Sequence, residues 1–170
     1  MTAGTLVLLR HAKAETPGER PDADRHLTER GRADAGAAGS WLADEGLGPD
    51  LVLCSPATRA RQTWHGVAVA LAQADPDDAA PEVHYEPGLY DGGRAEVIDL
   101  LRAVPEETST VLVVGHNPIM SDVSLLLRPS ADPHAAELKT AGIAVHRADG
   151  PWSQTEPGGM PLIGEHTGRG

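Results

Sequence analysis

The chain contains no phenylalanine, one cysteine, three tryptophans and two tyrosines in 170 residues. A core without Phe has to be assembled from Leu, Val, Ile and Ala, with tryptophan as the large filler. A single cysteine excludes an internal disulfide and a cysteine-rich zinc site. Cys54 lies inside the apolar run Leu51-Val52-Leu53-Cys54, where it reads as a buried, inert thiol. Positive charge is scarce as well: 14 Lys and Arg face 25 Asp and Glu, a formal charge of −11. This balance leaves no basic face for nucleic acid, so none is expected as a partner. No apolar run approaches the roughly 18 residues of a membrane span, and no basic leader precedes the first strand, so the expectation is a cytoplasmic protein without membrane contact. The length fits one domain, read as 1–148, followed by a tail at 149–170. That tail holds six Gly and three Pro in 22 residues and is expected to be irregular, anchored by Trp152 and Leu162-Ile163. A monomer is expected.

What is present is an alternation of short apolar runs and helical stripes. Thr5 to Leu9 reads as a buried strand, Leu51 to Cys54 as a second, and Thr110 to Val114 as a third. Glu82 to Tyr85 and Ile143 to His146 are further short strands. Between them, Thr28 caps a helix over Glu29 to Glu45, with Ala35, Ala38, Trp41 and Leu42 on its core face. Ser55-Pro56 and Asn117-Pro118 each read as a cap followed by a proline at the first helical position. The helices they open run to about Ala74 and Leu127, and another spans Arg94 to Val104. This order calls for a three-layer α/β/α sandwich around a largely parallel sheet. Ala12 to His26, with Pro17, Gly18 and Pro21, is a long loop over the end of the first strand.

Three strands end in chemically loaded residues. Arg10 and His11 follow the first, Ser55 and Arg59 the second, His116 and Asn117 the Thr110–Val114 strand. In open α/β sheets ligands gather at the carboxyl ends of the strands. Two arginines, two histidines and two helix N-termini at one sheet edge make a site for a tetrahedral dianion. Neutral His11 suits a nucleophile for phosphorus, and His116, charged by the bound phosphate, a stabiliser of its equatorial oxygens. Each residue also has a structural explanation on its own: a strand-end His held by a carbonyl, a surface helix Arg, a capping Ser or Asn.

The blocks Leu9-Arg10-His11-Ala12, Leu27-Thr28-Glu29-Arg30-Gly31, Ser55-Pro56-Ala57-Thr58-Arg59-Ala60-Arg61-Gln62-Thr63 and Val114-Gly115-His116-Asn117-Pro118 together resemble the histidine phosphatase superfamily. The similarity extends over about residues 5 to 148, and the opening Arg-His-Ala-Lys-Ala looks most like the SixA-type phosphohistidine phosphatase branch. The resemblance implies a phosphoglycerate mutase-like fold and a phosphatase that forms a covalent phosphohistidine on His11. Arg10, Arg59 and His116 would bind the phosphoryl group, with Asn117 beside them. No metal and no organic cofactor are implied. The expected partner is a phosphorylated protein, with a small phosphorylated molecule as the alternative substrate and a non-catalytic phosphate-binding module as the rival of another class. Ala12 stands where much of the superfamily has Gly. For the proton donor, the best match in Leu89-Tyr90-Asp91 is Asp91, with Glu86 behind it. Asp22, Asp24 and Arg25 form a charged cluster in the long loop, where a lid role is open.

Overall fold

The structure, a computed structural model, describes residues 3–18 and 20–170. Strands β1 (Gly4–Arg10), β2 (Leu51–Cys54), β3 (Glu82–Tyr85), β4 (Thr110–Gly115), β5 (Gly142–Ala148) and β6 (Leu162–Thr167) form one sheet in the order β3-β2-β4-β1-β5-β6. The pairs among β1 to β4 are parallel, while β5 and β6 add antiparallel. The helices are α1 (Glu29–Asp44), α2 (Thr58–Ala74), the single turn α3 (Gly88–Asp91), α4 (Arg94–Arg102) and α5 (Ile119–Leu127).

Side-chain alternation along the strands sorts the core into two layers. Leu6, Leu8, Val111 and Val113 face α4 and α5, meeting Leu101, Met120 and Leu127. Val7, Leu9, Leu112 and Val114 face the opposite way, against Leu42 of α1 and Trp64 and Val67 of α2. A sheet covered on both faces has no use for polar positions, which is why its central strands read as unbroken apolar runs. The expected three-layer α/β/α sandwich is the observed architecture.

Helix starts follow their local chemistry with one adjustment. Thr28 caps α1 by accepting the Gly31 amide at 3.0 Å. Gly31 itself is required by close approach: a side chain there would strike the Lys13 carbonyl, where the loop after β1 crosses the helix. The two Pro-containing turns do not start their helices as expected. Regular α2 begins at Thr58, after Ala57, and α5 begins at Ile119, after Pro118. Ser55 and Asn117 still accept amide hydrogens, from Ala57 at 3.2 Å and Ser121 at 3.2 Å, so Ser55 stabilises the turn ahead of α2 and Asn117 the first turn of α5.

The stretch 149–170 departs from the expectation of an irregular tail. A 3-10 turn at Trp152–Gln154 buries Trp152, whose indole N–H donates to the Thr108 carbonyl at 2.9 Å. Beyond it β6 pairs with β5 from Gly142↔Thr167 to His146↔Leu162, extending the sheet by a strand. A short sequence with Gly at its centre carries little strand propensity, and its pairing with β5 decides the outcome. Trp41, expected in the core, is half-buried and stacks flat on His166 of β6 at 4.7 Å. Buried Asp34 then accepts the Gly170 amide at 3.0 Å and pairs with Arg169 at 3.3 Å.

Candidate active site

Register brings the three loaded strand ends together. β1 and β4 pair with Arg10 opposite Gly115, and β2 and β4 with Cys54 opposite Val114. The ladder continues past the strands: the His11 amide donates to Gly115 O at 3.0 Å and the Ser55 amide to Val114 O at 3.0 Å. His11, Ser55 and His116 are therefore neighbours because of backbone pairing. The imidazole rings of His11 and His116 lie 5.1 Å apart.

Hydrogen bonding fixes both tautomers. Nδ1 of His11 meets the Ala12 carbonyl at 2.7 Å. A carbonyl only accepts, so Nδ1 carries the proton and Nε2 keeps the lone pair. Burial pushes the His11 imidazole down to about 3, with His116, Arg59 and Arg10 adding to the effect against the Ala12 carbonyl. The ring is neutral at pH 7, the state a nucleophile needs. Nε2 of His116 lies 2.7 Å from Ser55 Oγ, which already accepts the Ala57 amide. Ser55 is buried and its hydroxyl has no other acceptor among the described residues, so its proton goes to Nε2 and Nδ1 of His116 carries the ring N–H. Burial, followed by Arg59, lowers His116 to about 4, while Asp22 acts in the opposite sense. Without a bound anion His116 is thus a neutral donor rather than an imidazolium.

The arginines have complementary anchors. Arg10 donates through Nη1 to Leu138 O at 2.9 Å, and Asn117 Nδ2 donates to the same carbonyl at 2.8 Å. Arg59, buried in the first turn of α2, donates from Nη1 to the Asp22 carbonyl at 2.7 Å and from Nη2 to Asp22 Oδ2 at 3.1 Å. Nε of Arg10, Nε of Arg59 and Nδ1 of His116 are buried and have no hydrogen-bond partner among the described residues. Unpaired buried donors are costly unless an acceptor visits them. Three on adjacent residues around a neutral imidazole make a cradle for an oxyanion.

Sequence reasoning missed the residues that hold the loop after His11. The Ala12 amide donates to Thr63 Oγ1 at 3.0 Å, and Thr63 returns its own proton to Arg59 O at 2.8 Å. Gln62 accepts the Leu27 amide at 2.7 Å. Both side chains stand on α2 one turn beyond Arg59, facing the loop, and that spacing was the available signal. Also missed was Tyr90, which donates to Asp22 Oδ2 at 2.7 Å and lies edge-on to His116 at 5.6 Å. Asp91, the residue expected as proton donor, is exposed at the end of α3, and its side chain makes no hydrogen bond or ion pair among the described residues. A single helical turn points successive side chains in different directions, and here the pocket receives Tyr90. Glu86 is half-buried, with no side-chain bond to the pocket.

Cys54, as expected, is buried, and burial pushes its thiol up to about 12. Among the described residues no group of three His, Cys, Asp or Glu is placed to hold a metal ion, and no helix is long and apolar enough to cross a membrane.

A neutral imidazole beside buried arginine and imidazole nitrogens, at the carboxyl ends of parallel strands, is an arrangement that can receive a phosphoryl group. The sequence model of the histidine phosphatase superfamily (branch 1) matches residues 6–109, and the chain belongs to that superfamily. A Mycobacterium tuberculosis protein of uncharacterised function is 39% identical over 168 residues, covering 95% of this chain and 100% of its own. A solved structure assigned as the phosphohistidine phosphatase SixA of Nakamurella multipartitia is 35% identical, with TM-score 0.82 over 99% of this chain and 98% of its own. The fold is also that of the protein histidine phosphatase SixA solved with tungstate, at 24% identity and TM-score 0.80 over 96% of each chain. The chain is of the SixA-type branch of that superfamily.

Proposed function

We propose that the chain is a metal-independent phosphatase that forms a covalent phosphohistidine on His11, with protein phosphohistidine as its favoured substrate. The phosphoryl oxygens would engage Nε of Arg10, Nε of Arg59 and Nδ1 of His116, the three buried donors without partners. The Nε2 lone pair of His11 attacks phosphorus in line. The bond from phosphorus to the leaving nitrogen breaks and its electron pair stays with that nitrogen. Water then displaces His11 as inorganic phosphate forms.

One observation carries the preference for a phosphoramidate: the carboxylate at the pocket is held ionised. Asp22 accepts from Tyr90, then from Arg25 and Arg59, and these bonds keep it well below the usual carboxylate range. An ionised carboxylate cannot protonate a departing alkoxide, which needs an acid. A ring-protonated imidazole leaves as a neutral molecule and needs none. Asp91, the other acid expected for a phosphomonoester, makes no bond to the pocket among the described residues.

The test is turnover in excess chelator of a phosphohistidine-bearing protein and of an alkyl phosphate, by wild type and His11→Ala. The reading predicts release of phosphate from the first substrate, little from the second, and none from either in the variant. Wild type that binds phosphate yet turns over neither substrate would instead make the chain a phosphate-binding module. Turnover that chelation abolishes would remove the metal-independent mechanism.

A further inference from the structure

Asp22 enters the pocket from the 3-10 turn Asp22–Asp24 and has more partners than a loop carboxylate needs for solubility. Oδ2 takes the Tyr90 hydroxyl at 2.7 Å and Nη2 of Arg59 at 3.1 Å. Oδ1 takes Nε and Nη2 of Arg25 at 3.1 and 2.9 Å. Even so, its side chain is 51% exposed, so the carboxylate is open to solvent. From these contacts, and resting on the phosphohistidine reading above, we infer that Asp22 reads the leaving group. Its carboxylate accepts the N–H of the remote ring nitrogen of a departing imidazolium and so selects N-phosphoimidazoles over phosphoesters.

Position supports the assignment. The charge of Asp22 acts on His116. Asp22 is bonded to Arg59 and to Tyr90, whose ring lies 5.6 Å from that of His116, so the carboxylate stands on the Arg59 and His116 side of the pocket. An in-line displacement puts the leaving atom opposite His11, and the inference places that departing group against Asp22. The bonding also allows an exchange. A phosphoryl group at Nε of Arg59 draws the guanidinium toward itself and loosens its Nη2 bond to Asp22. The Oδ2 lone pair that Arg59 gives up is then available to a ring N–H.

The step balances. The P–N bond breaks with its pair going to the leaving nitrogen, while a P–N bond forms to His11 Nε2. The proton on the remote ring nitrogen stays there throughout, held against Asp22, and neutral imidazole departs. A carboxylate in this place favours the protonated, more reactive form of the substrate. The same negative charge opposes a departing phenolate, and having no proton it does nothing for an alkoxide.

The experiment compares kcat/KM for N-phosphoimidazole and for 4-nitrophenyl phosphate, in wild type and Asp22→Asn, with inhibition by inorganic phosphate measured on both. Asparagine keeps an oxygen acceptor for Tyr90 and Arg59 but removes the charge. The expected result is a fall of about ten-fold or more in the ratio of phosphoimidazole to nitrophenyl phosphate, the scale of one lost charge-assisted hydrogen bond. An equal fall in both rates would show that Asp22 only positions Arg59, and an equal rise with tighter phosphate inhibition would make it only a competitor for Arg59. Either result, or an unchanged ratio, overturns the inference while the phosphatase reading stands. Wild type inactive on both substrates would instead remove that reading and this inference with it.

Discussion

At the floor of the pocket, Arg10, His11, Ser55 and His116 follow directly from three hydrogen-bonded strands, whereas at the rim Asp22 and Tyr90 come from a loop and a one-turn helix and are exposed. Floor residues have their positions set by register, since sliding β1 against β4 by one residue would turn every side chain over. Those at the rim are set by a handful of side-chain bonds centred on one carboxylate. The difference suits the division of labour. Attack on phosphorus demands placement to a fraction of an ångström, while the leaving group varies and tolerates an adjustable wall.

Substitutions should separate the two regions. At the floor, His11→Asn is expected to lower kcat by about 10⁴-fold or more, since no other group replaces a covalent nucleophile. Its fold, read by circular dichroism, should be unchanged. Arg59→Ala should reduce kcat/KM by about 10² to 10³-fold, as for other donors to a developing charge, with Lys restoring only part. The same variant should loosen the loop, seen as faster hydrogen exchange around Asp22, because Arg59 ties floor to rim. Ser55→Ala frees the His116 tautomer, and a loss of about ten-fold in kcat is expected from one broken buried hydrogen bond.

Acid sharpens the comparison further. His11 at about 3 and His116 at about 4 lie below the ordinary imidazole value, and His146, buried and bonded to Ser124 and the Met160 carbonyl, is also lowered by burial. The folded chain therefore binds these protons less readily than the unfolded chain, which takes them up below about pH 6.5. Stability should be fully present above pH 6.5 and fall as the pH drops toward 4, with His11→Asn flattening that loss in thermal melts. Asp22 has the opposite reach, since its depressed value keeps the rim charged over the same range. The smallest effect expected is at the rim: Tyr90→Phe removes one of several donors to Asp22 and should change kcat/KM for nitrophenyl phosphate by less than about three-fold.

The same division marks what the sequence discloses. The floor was legible because strand ends and helix starts are local signals, and an apolar run closing on Arg10-His11 or Gly115-His116 needs no distant partner to be read. Rim residues were not. Asp22 meets Tyr90 across 68 positions, and nothing local shows that Tyr90 rather than Asp91 turns inward. Strand β6 escaped for a related reason. Leu162-Ile163-Gly164-Glu165-His166-Thr167 becomes a strand only where β5 offers an edge, and its Gly- and Pro-rich surroundings read locally as loop.

The most direct test of the account is to trap the phosphoenzyme. Wild type mixed with an excess of N-phosphoimidazole is quenched in alkali within milliseconds, digested and mapped by mass spectrometry. Phosphate on His11, stable to base, lost in mild acid and absent from His11→Asn, is the predicted result. Turnover without any phosphoenzyme, or with phosphate on another side chain, would contradict the assignment of His11 as the nucleophile.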